Sequence, residues 1–459
     1  MCTDRPRPFR FEKRVGAASA PLAAGYRPRK PERTILYRTV QEHLETMLAE
    51  ARSRSAHGFG YPRHVERAFR RLLGCGQIAR GFVRLRCRDC GHERLLAFSC
   101  KSRLCPSCHA RRMHDTAFHL ERNVLPRVPF RQWVLALPRP LRLLLARDSA
   151  LLAQVLAIFV RTLFSWQRRA AKRDGFSRVL PGAITFVQHF GSALNANIHF
   201  HCLVPDGVFV DEGPERPLFF LELMGPTPEE VAALTRKLAR KITRHVDAYR
   251  ETHGLDLDTA ASDGDDAIDH ARARALQLPL GPRSDRAAAP PPLRASYRCA
   301  HVEGFSLHAD VDLAAHDREG LLRLARYGAR QSFSQQHLSA LPDGRLRYAL
   351  KRPFGPQHVR ELVLSPSELL HRLAALLPKP YLNLTRYAGI FAPNANRRWE
   401  VVPTTAPRRR SRRREPLAPQ LVPPPLPDPL DADPDDDAPR TVTRIPWAEL
   451  LRLTWCAST

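Results

Sequence analysis

The sequence predicts an α+β chain, and three observations carry that reading. Short apolar runs with strand character, Arg131 to Leu137, Ala183 to Phe190 and Asn197 to Phe209, are interspersed with stretches of helical periodicity. Five of the ten cysteines fall between Cys87 and Cys108, at the end of a helical N-terminal part. After Val402 the periodicity stops and blocks of arginine, proline and aspartate take over, too poor in apolar surface to fold.

Taken in order, residues 1–34 are rich in Pro and Arg and read as a flexible basic arm. From Thr34 to Gly74 the pattern is helical, with Val65, Ala68, Phe69 and Leu72 at three- and four-residue steps. The cysteine segment follows, then a basic helix (HARRMHDTAFHLERNVL), so that residues 35–120 form a first, helical and metal-binding domain. Residues 125–402 form a second domain. It holds the strands above, an amphipathic helix from Asp148 to Arg169, a helix from Arg318 to Leu338, and strands at Arg345 to Leu350 and Val359 to Leu364. Ser365, Pro366 and Glu368 mark the start of its last helix as N-cap, first-turn proline and capping-box partner. Residues 262–293 mix Asp, Ala and Pro and read as a mobile insertion; residues 403–445 read as a disordered tail and 446–459 as a short amphipathic segment.

Lys and Arg number 73 against 46 Asp and Glu, a formal net charge of +27. Such a field favours a polyphosphate backbone as partner; an anionic membrane or ribosomal RNA would also meet it, so charge alone does not choose. The longest apolar stretch, Ser149 to Val160, is too short for a bilayer span, and the basic N-terminus has no apolar leader core. The expectation is a cytoplasmic protein without a membrane partner, whose thiols stay reduced and bind metal.

Cys87 and Cys90 form one CxxC pair and Cys105 and Cys108 another, with 14 residues between them. Two such knuckles supply the four thiolates of a closed tetrahedral Zn²⁺ site, which folds a module and does no chemistry. Cys100 is then surplus, and His109 is a substitute ligand. Arg111 and Arg112 beside the site suit phosphate contacts.

In NANIHFHCLVPDGVF, strand alternation puts His199 and His201 on one face and Ile198, Phe200 and Cys202 on the other. Paired neutral imidazoles form an open site for a divalent metal. In GLLRLARYGARQSFSQQHL, Leu321, Leu324, Ala325 and Gly328 make an apolar stripe, and Tyr327 and Gln331 stand one turn apart among Arg323, Arg326 and Arg330. A tyrosine between arginines and next to a metal can attack a phosphodiester, with Arg326 and Arg330 on the DNA and Gln331 as third metal ligand; Gln188 or Asn197 are alternatives for that ligand.

These motifs together resemble the rolling-circle transposases of the insertion-sequence-91 type, within the HUH (His-hydrophobe-His) nuclease superfamily. The resemblance runs from about Val65 to Trp399 and rests on CGQIARGFVRLRCRDCGHE, SCKSRLCPSCHARR, FGSALNANIHFHCLVPDGVF, LLRLARYGAR, YALKRPF and RYAGIFAPNANRR. It implies an antiparallel sheet flanked by helices with the histidine pair on a central strand, a zinc module that binds element ends, and Mg²⁺ or Mn²⁺ at the histidines. The implied activity is cleavage and rejoining of single-stranded DNA through a 5′-phosphotyrosine on Tyr327. The chain departs from relatives with two tyrosines, since Arg323 stands four before Tyr327, and from relatives with proline where Gln331 stands. It also stops soon after Cys456, where relatives often continue into another cysteine pair. A replication initiator of the same superfamily would use the same chemistry; a zinc-dependent DNA-binding protein without catalysis, such as the product of a decayed element, would bind DNA but not nick it.

Overall fold

In the computed structural model, residues 30–403 are described, apart from 56, 87–90, 92, 255–266, 277–296 and 355–357. Residues 1–29 of the expected arm, residues 404–459 and the Cys87–Cys90 knuckle therefore lie outside the described residues, whereas Pro31–Arg33 of the arm form a 3₁₀ turn that leads into the first helix.

The first helices are α1 (Ile35–Arg54) and α2 (Arg63–Leu73). Thr34 caps α1 by accepting a hydrogen bond from the Tyr37 amide. A ribbon of β1 (Phe82–Arg86) and β2 (Glu93–Ala97) leads to α3 (Pro106–Asn123). Then come β3 (Phe130–Ala136), α4 (Arg139–Arg147) and α5 (Ser149–Arg173). Four strands follow: β4 (Val179–Leu180), β5 (Gly182–Phe190), β6 (Ala196–Pro205) and β7 (Gly207–Val210). After β8 (Phe219–Glu222) come α6 (Pro228–His253) and α7 (Ala267–Leu276). Next are β9 (Cys299–Val302), β10 (Phe305–Leu313) and α8 (Arg318–Gly328). The chain closes with β11 (Leu338–Ala340), β12 (Leu346–Phe354), β13 (Val359–Leu364), α9 (Pro366–Ala375) and β14 (Thr385–Gly389).

The centre is a six-stranded antiparallel sheet in the order β14-β5-β6-β3-β10-β9. On one face Trp133, Leu135, Ile198, Phe200 and Cys202 pack against Phe159 and Leu163 of α5 and Leu238 and Ile242 of α6. On the other, Ile184, Phe186 and Leu203 meet Leu321 and Ala325 of α8 and Ala117 and Leu120 of α3. Helix α5 is long and apolar enough to cross a membrane, but its apolar stripe is spent on the sheet, as in a core helix. A further core joins Leu36, Val40 and Leu44 of α1 and Phe69 of α2 to Leu369, Leu370 and Leu373 of α9, so residues far apart in sequence share one apolar cluster.

Three expectations need correction, and one element was not foreseen. The run Asn197 to Phe209 is two strands, broken at Asp206, whose carboxylate accepts two hydrogen bonds from the buried Arg131 guanidinium at 2.8 and 2.9 Å. The helix expected from Arg318 to Leu338 stops at Gly328, and the rest forms a turn, a short 3₁₀ segment and β11. Part of the expected insertion, Ala267–Leu276, is helical, with Ala267, Ile268, Ala271 and Ala275 buried in the α1–α9 core. Helix α6, unanticipated, has a full capping box between Thr227 and Glu230 and ends at Gly254 in the left-handed region.

Candidate active site and metal centres

Pairing register sets the geometry around the histidines. His199 lies between Gln188 of β5 and Ala136 of β3, and His201 between Phe186 and Val134. All six side chains point to the face that α8 covers, because cross-strand partners share a face. The imidazole centroids of His199 and His201 are 4.9 Å apart. The His199 Nδ1 is 2.9 Å from the Asn197 carbonyl and is assigned as its donor, which leaves Nε2 as a lone pair. Both ring nitrogens of His201 are buried and make no hydrogen bond. Burial lowers the His199 pKa to about 4, and burial together with His199 lowers that of His201 to about 2. Two neutral imidazoles with unused nitrogens fit a divalent cation, which would satisfy the polar atoms that the fold leaves orphaned.

Tyr327 stands next to this pair. Its ring centroid is 5.2 Å from that of His201, nearly perpendicular at 85°, and the residue is 45% exposed. Gly328 permits that approach: a Cβ there would lie 2.3 Å from the Phe186 ring, the cross-strand neighbour of His201. Gln188 fixes the helix end, its Nε2 donating to the Tyr327 and Gly328 carbonyls at 2.9 Å each, two of the acceptors a helix C-terminus leaves open. Its Oε1 accepts from Arg330 Nε at 3.3 Å, and the Arg330 guanidinium lies over the Tyr327 ring at 4.5 Å.

The other expected residues are distributed differently. Arg326 lies over the Phe118 ring of α3, and Arg323 turns to Asp317 and Glu319. Gln331 is past the end of α8, so the one-turn stacking on Tyr327 does not form; its buried side-chain carbonyl makes no hydrogen bond. Arg111 is exposed and reaches towards Asp115 at 3.7 Å, whereas Arg112 folds inward and donates to the Lys101 carbonyl at 2.7 Å.

The thiol site is also regrouped. Cys105 and Cys108, on the first turn of α3, meet Cys75 and Cys100, and the four sulfurs lie within 4.8 Å of one another. The separations are 3.5 Å for Cys75–Cys108, 3.6 Å for Cys100–Cys108 and 3.7 Å for Cys75–Cys105. A tetrahedron with ~2.3 Å metal–sulfur bonds has an edge of roughly 3.8 Å, so this set fits Zn²⁺. Cys87 and Cys90 of the expected quartet lie outside the described residues, and the quartet around Cys105 and Cys108 is complete without them. Cys100, read as surplus, is a member. Cys75 was missed because it precedes Cys100 by 25 positions and carries no short-range spacing signal. His109, read as a substitute ligand, instead sits between the Arg103 and Ala329 carbonyls, its ring nitrogens 3.1 and 3.2 Å from them; burial favours the neutral ring, whose single N–H donates to one of the two, and the contact packs the thiol module on the turn after α8.

Residues 40–137 match the family described as "Transposase zinc-binding domain" and residues 182–398 the family described as "Putative transposase". A transposase for insertion sequence element IS801 from Pseudomonas savastanoi pv. phaseolicola is 29% identical over 152 residues, 33% of this chain and 35% of that protein. "Putative transposase y4qJ" of Sinorhizobium fredii (strain NBRC 101917 / NGR234) is 28% identical over 173 residues, 35% of this chain and 38% of the relative. The chain thus spans little more than a third of the length of these curated relatives. No solved structure matches. With the zinc-binding family over the four-thiol module and the transposase family over the histidine strand and the tyrosine helix, the chain belongs to the insertion-sequence-91 type of transposases.

Proposed function

We propose that the chain cleaves and rejoins single-stranded DNA at element ends, with Tyr327 as nucleophile. The observation that carries this reading is the 5.2 Å approach of the Tyr327 ring to His201, from a helix more than a hundred residues later in the chain. His199 and His201 would hold Mg²⁺ or Mn²⁺, which when bound polarises the scissile phosphate. Gln188, cross-strand from His199, and Gln331, whose side-chain carbonyl is buried without a hydrogen bond, are the candidates for a third ligand.

The Tyr327 hydroxyl attacks phosphorus, an O–P bond to tyrosine forms, and the bond to the 3′ oxygen breaks. The tyrosine proton ends on that oxygen as a 3′ hydroxyl, and the 5′ phosphate stays on the enzyme. Attack by another 3′ hydroxyl reverses the step and joins the strands. Arg330, held over the phenol ring, would stabilise the charge that builds on the phosphate. The aqueous, exposed side of Tyr327 gives a strand access, while Gln188 prevents the helix end from drifting. The four-thiol site would hold structural Zn²⁺, and its module would contribute to DNA binding in the cytoplasm.

The test is incubation of the zinc-loaded protein and Mg²⁺ or Mn²⁺ with single-stranded oligonucleotides covering the flanks of its own gene. A denaturation-resistant protein–DNA adduct is expected, and Tyr327→Phe should remove it. Adduct formation by Tyr327→Phe would show that another residue is the nucleophile.

A further inference from the structure

A cavity of about 100 Å³ lies in the seam between the thiol module and the central sheet. At roughly 10–15 Å³ per water, it is several times larger than a single water requires. Three guanidinium groups line it: Arg103 and Arg112 from the thiol module and Arg330 from the turn after α8. No Asp or Glu is among the lining residues. Arg112 donates to the Lys101 carbonyl and Arg330 to Gln188, both neutral acceptors, and among the described residues no carboxylate pairs with Arg103. His189 also lines the cavity, its Nε2 buried without a hydrogen bond.

Positive charges gathered at one partly buried cavity with no carboxylate in its lining favour an anion there. The walls come from two parts of the molecule, so an anion bound between them would join the two. Arg330 belongs to both places, since it lines the cavity and covers the Tyr327 ring at 4.5 Å. We propose that this seam binds a backbone phosphate of the single strand, next to the phosphate that Tyr327 attacks, with Arg103, Arg112 and Arg330 as its ligands. The bound strand then clamps the thiol module, already in contact through His109 with the Ala329 carbonyl, against the catalytic sheet. The proposal rests on the nuclease reading for the identity of the strand, but its test reads binding rather than cleavage.

Full-length zinc-loaded protein is titrated with fluorescent dT12, without Mg²⁺ or Mn²⁺, across a range of salt concentrations. For Arg103→Gln/Arg112→Gln, binding should weaken about tenfold or more, and the slope of log K against log salt should become shallower by about 0.7, the value for one phosphate on a single strand. Arg103→Lys/Arg112→Lys, which keeps the charges, should retain the wild-type slope. Zinc content and melting temperature check that each variant is folded. Unchanged affinity and slope in the Gln variant overturn the proposal, as does weaker binding at an unchanged slope. Stabilisation of the wild type by inorganic phosphate, at constant ionic strength and with an unaltered dT12 slope in the Gln variant, would assign the cavity to a free anion and overturn it too. Because adduct formation is measured separately, a failed seam with an active Tyr327, or the reverse, is distinguishable.

Discussion

Two clusters of side chains of metal-binding type, four thiols and a pair of imidazoles, are built in opposite ways. The thiol site draws Cys75, Cys100, Cys105 and Cys108 from three separate pieces of chain, none of them part of the central sheet. Its four sulfurs lie close enough together to surround one Zn²⁺, which would leave no open position. The histidine site uses one strand of a sheet already held by two cores, and leaves a half-exposed phenol at its opening. A site that closes chain segments on one another contributes to folding; a site printed on a finished strand is free for chemistry and costs little fold stability to alter. Predictions that separate these roles can be ranked by size.

The largest effect is expected at the thiols. Cys75→Ser or Cys100→Ser should lower bound zinc by one equivalent and lower the melting temperature sharply, because structural zinc contributes on the order of 10 kcal/mol to such modules. Mass-spectrometric metal counting alongside thermal melts reads both. Retention of that zinc in both variants would mean that Cys105 and Cys108 have other partners. The change should reach the active site as well, since His109 and Arg318 link α3 to α8: Arg318 donates to Glu121 Oε1 at 2.9 Å.

At the histidines the pattern reverses. His199→Ala or His201→Ala should slow adduct formation on the order of a thousandfold, corresponding to several kcal/mol of lost charge stabilisation at about 1.36 kcal/mol per tenfold. Zinc content should not change, and the melting temperature should fall far less than in the cysteine variants. A cysteine-like collapse would remove the distinction between the two sites.

How much of this was legible in the sequence follows the same division. His199 and His201 were readable because strand alternation is strictly local: the residue type and its neighbours fix the face. Tyr327 was readable as a candidate, and the approach to His201 came from the family resemblance. Gln331 was misplaced because helical spacing was extended past Gly328, where Gln188 ends the helix from another strand. The Cys75 and Cys100 assignment depended on contacts across β1 and β2, and CxxC spacing favoured the nearer pair. Helix α6 lay in sequence with adequate caps; Thr227, Glu230 and Gly254 were the missed signal.

Gly328 gives a finer test, since it affects the second site without removing any group that does chemistry. Gly328→Ala would place a methyl 2.3 Å from the Phe186 ring, which belongs to the sheet and cannot swing away as a surface side chain would. Overpacking of this kind costs about 1–3 kcal/mol. The helix end should move outward, so adduct formation should drop more than tenfold while zinc stays bound. An active, equally stable Gly328→Ala would show that α8 and β5 need not be so close.

The smallest effect is in the dependence of stability on pH, measured without divalent metal other than the bound zinc. His199 and His201 have folded pKa values lowered to about 4 and about 2 by burial, against about 6.5 in the unfolded chain. Below pH 6.5 the unfolded chain therefore takes up protons that the folded chain refuses. Stability is full above pH 6.5 and declines as pH falls, with both histidines contributing to the slope down to about pH 4 and His201 alone below that. His199→Asn/His201→Asn lacks both contributions, so its melting temperature should fall less steeply than that of the wild type between pH 6.5 and 5, a window in which the thiol site is common to both proteins. Parallel curves would mean that the imidazoles are protonated in the folded chain, and that the strand does not offer the two neutral nitrogens on which a metal depends.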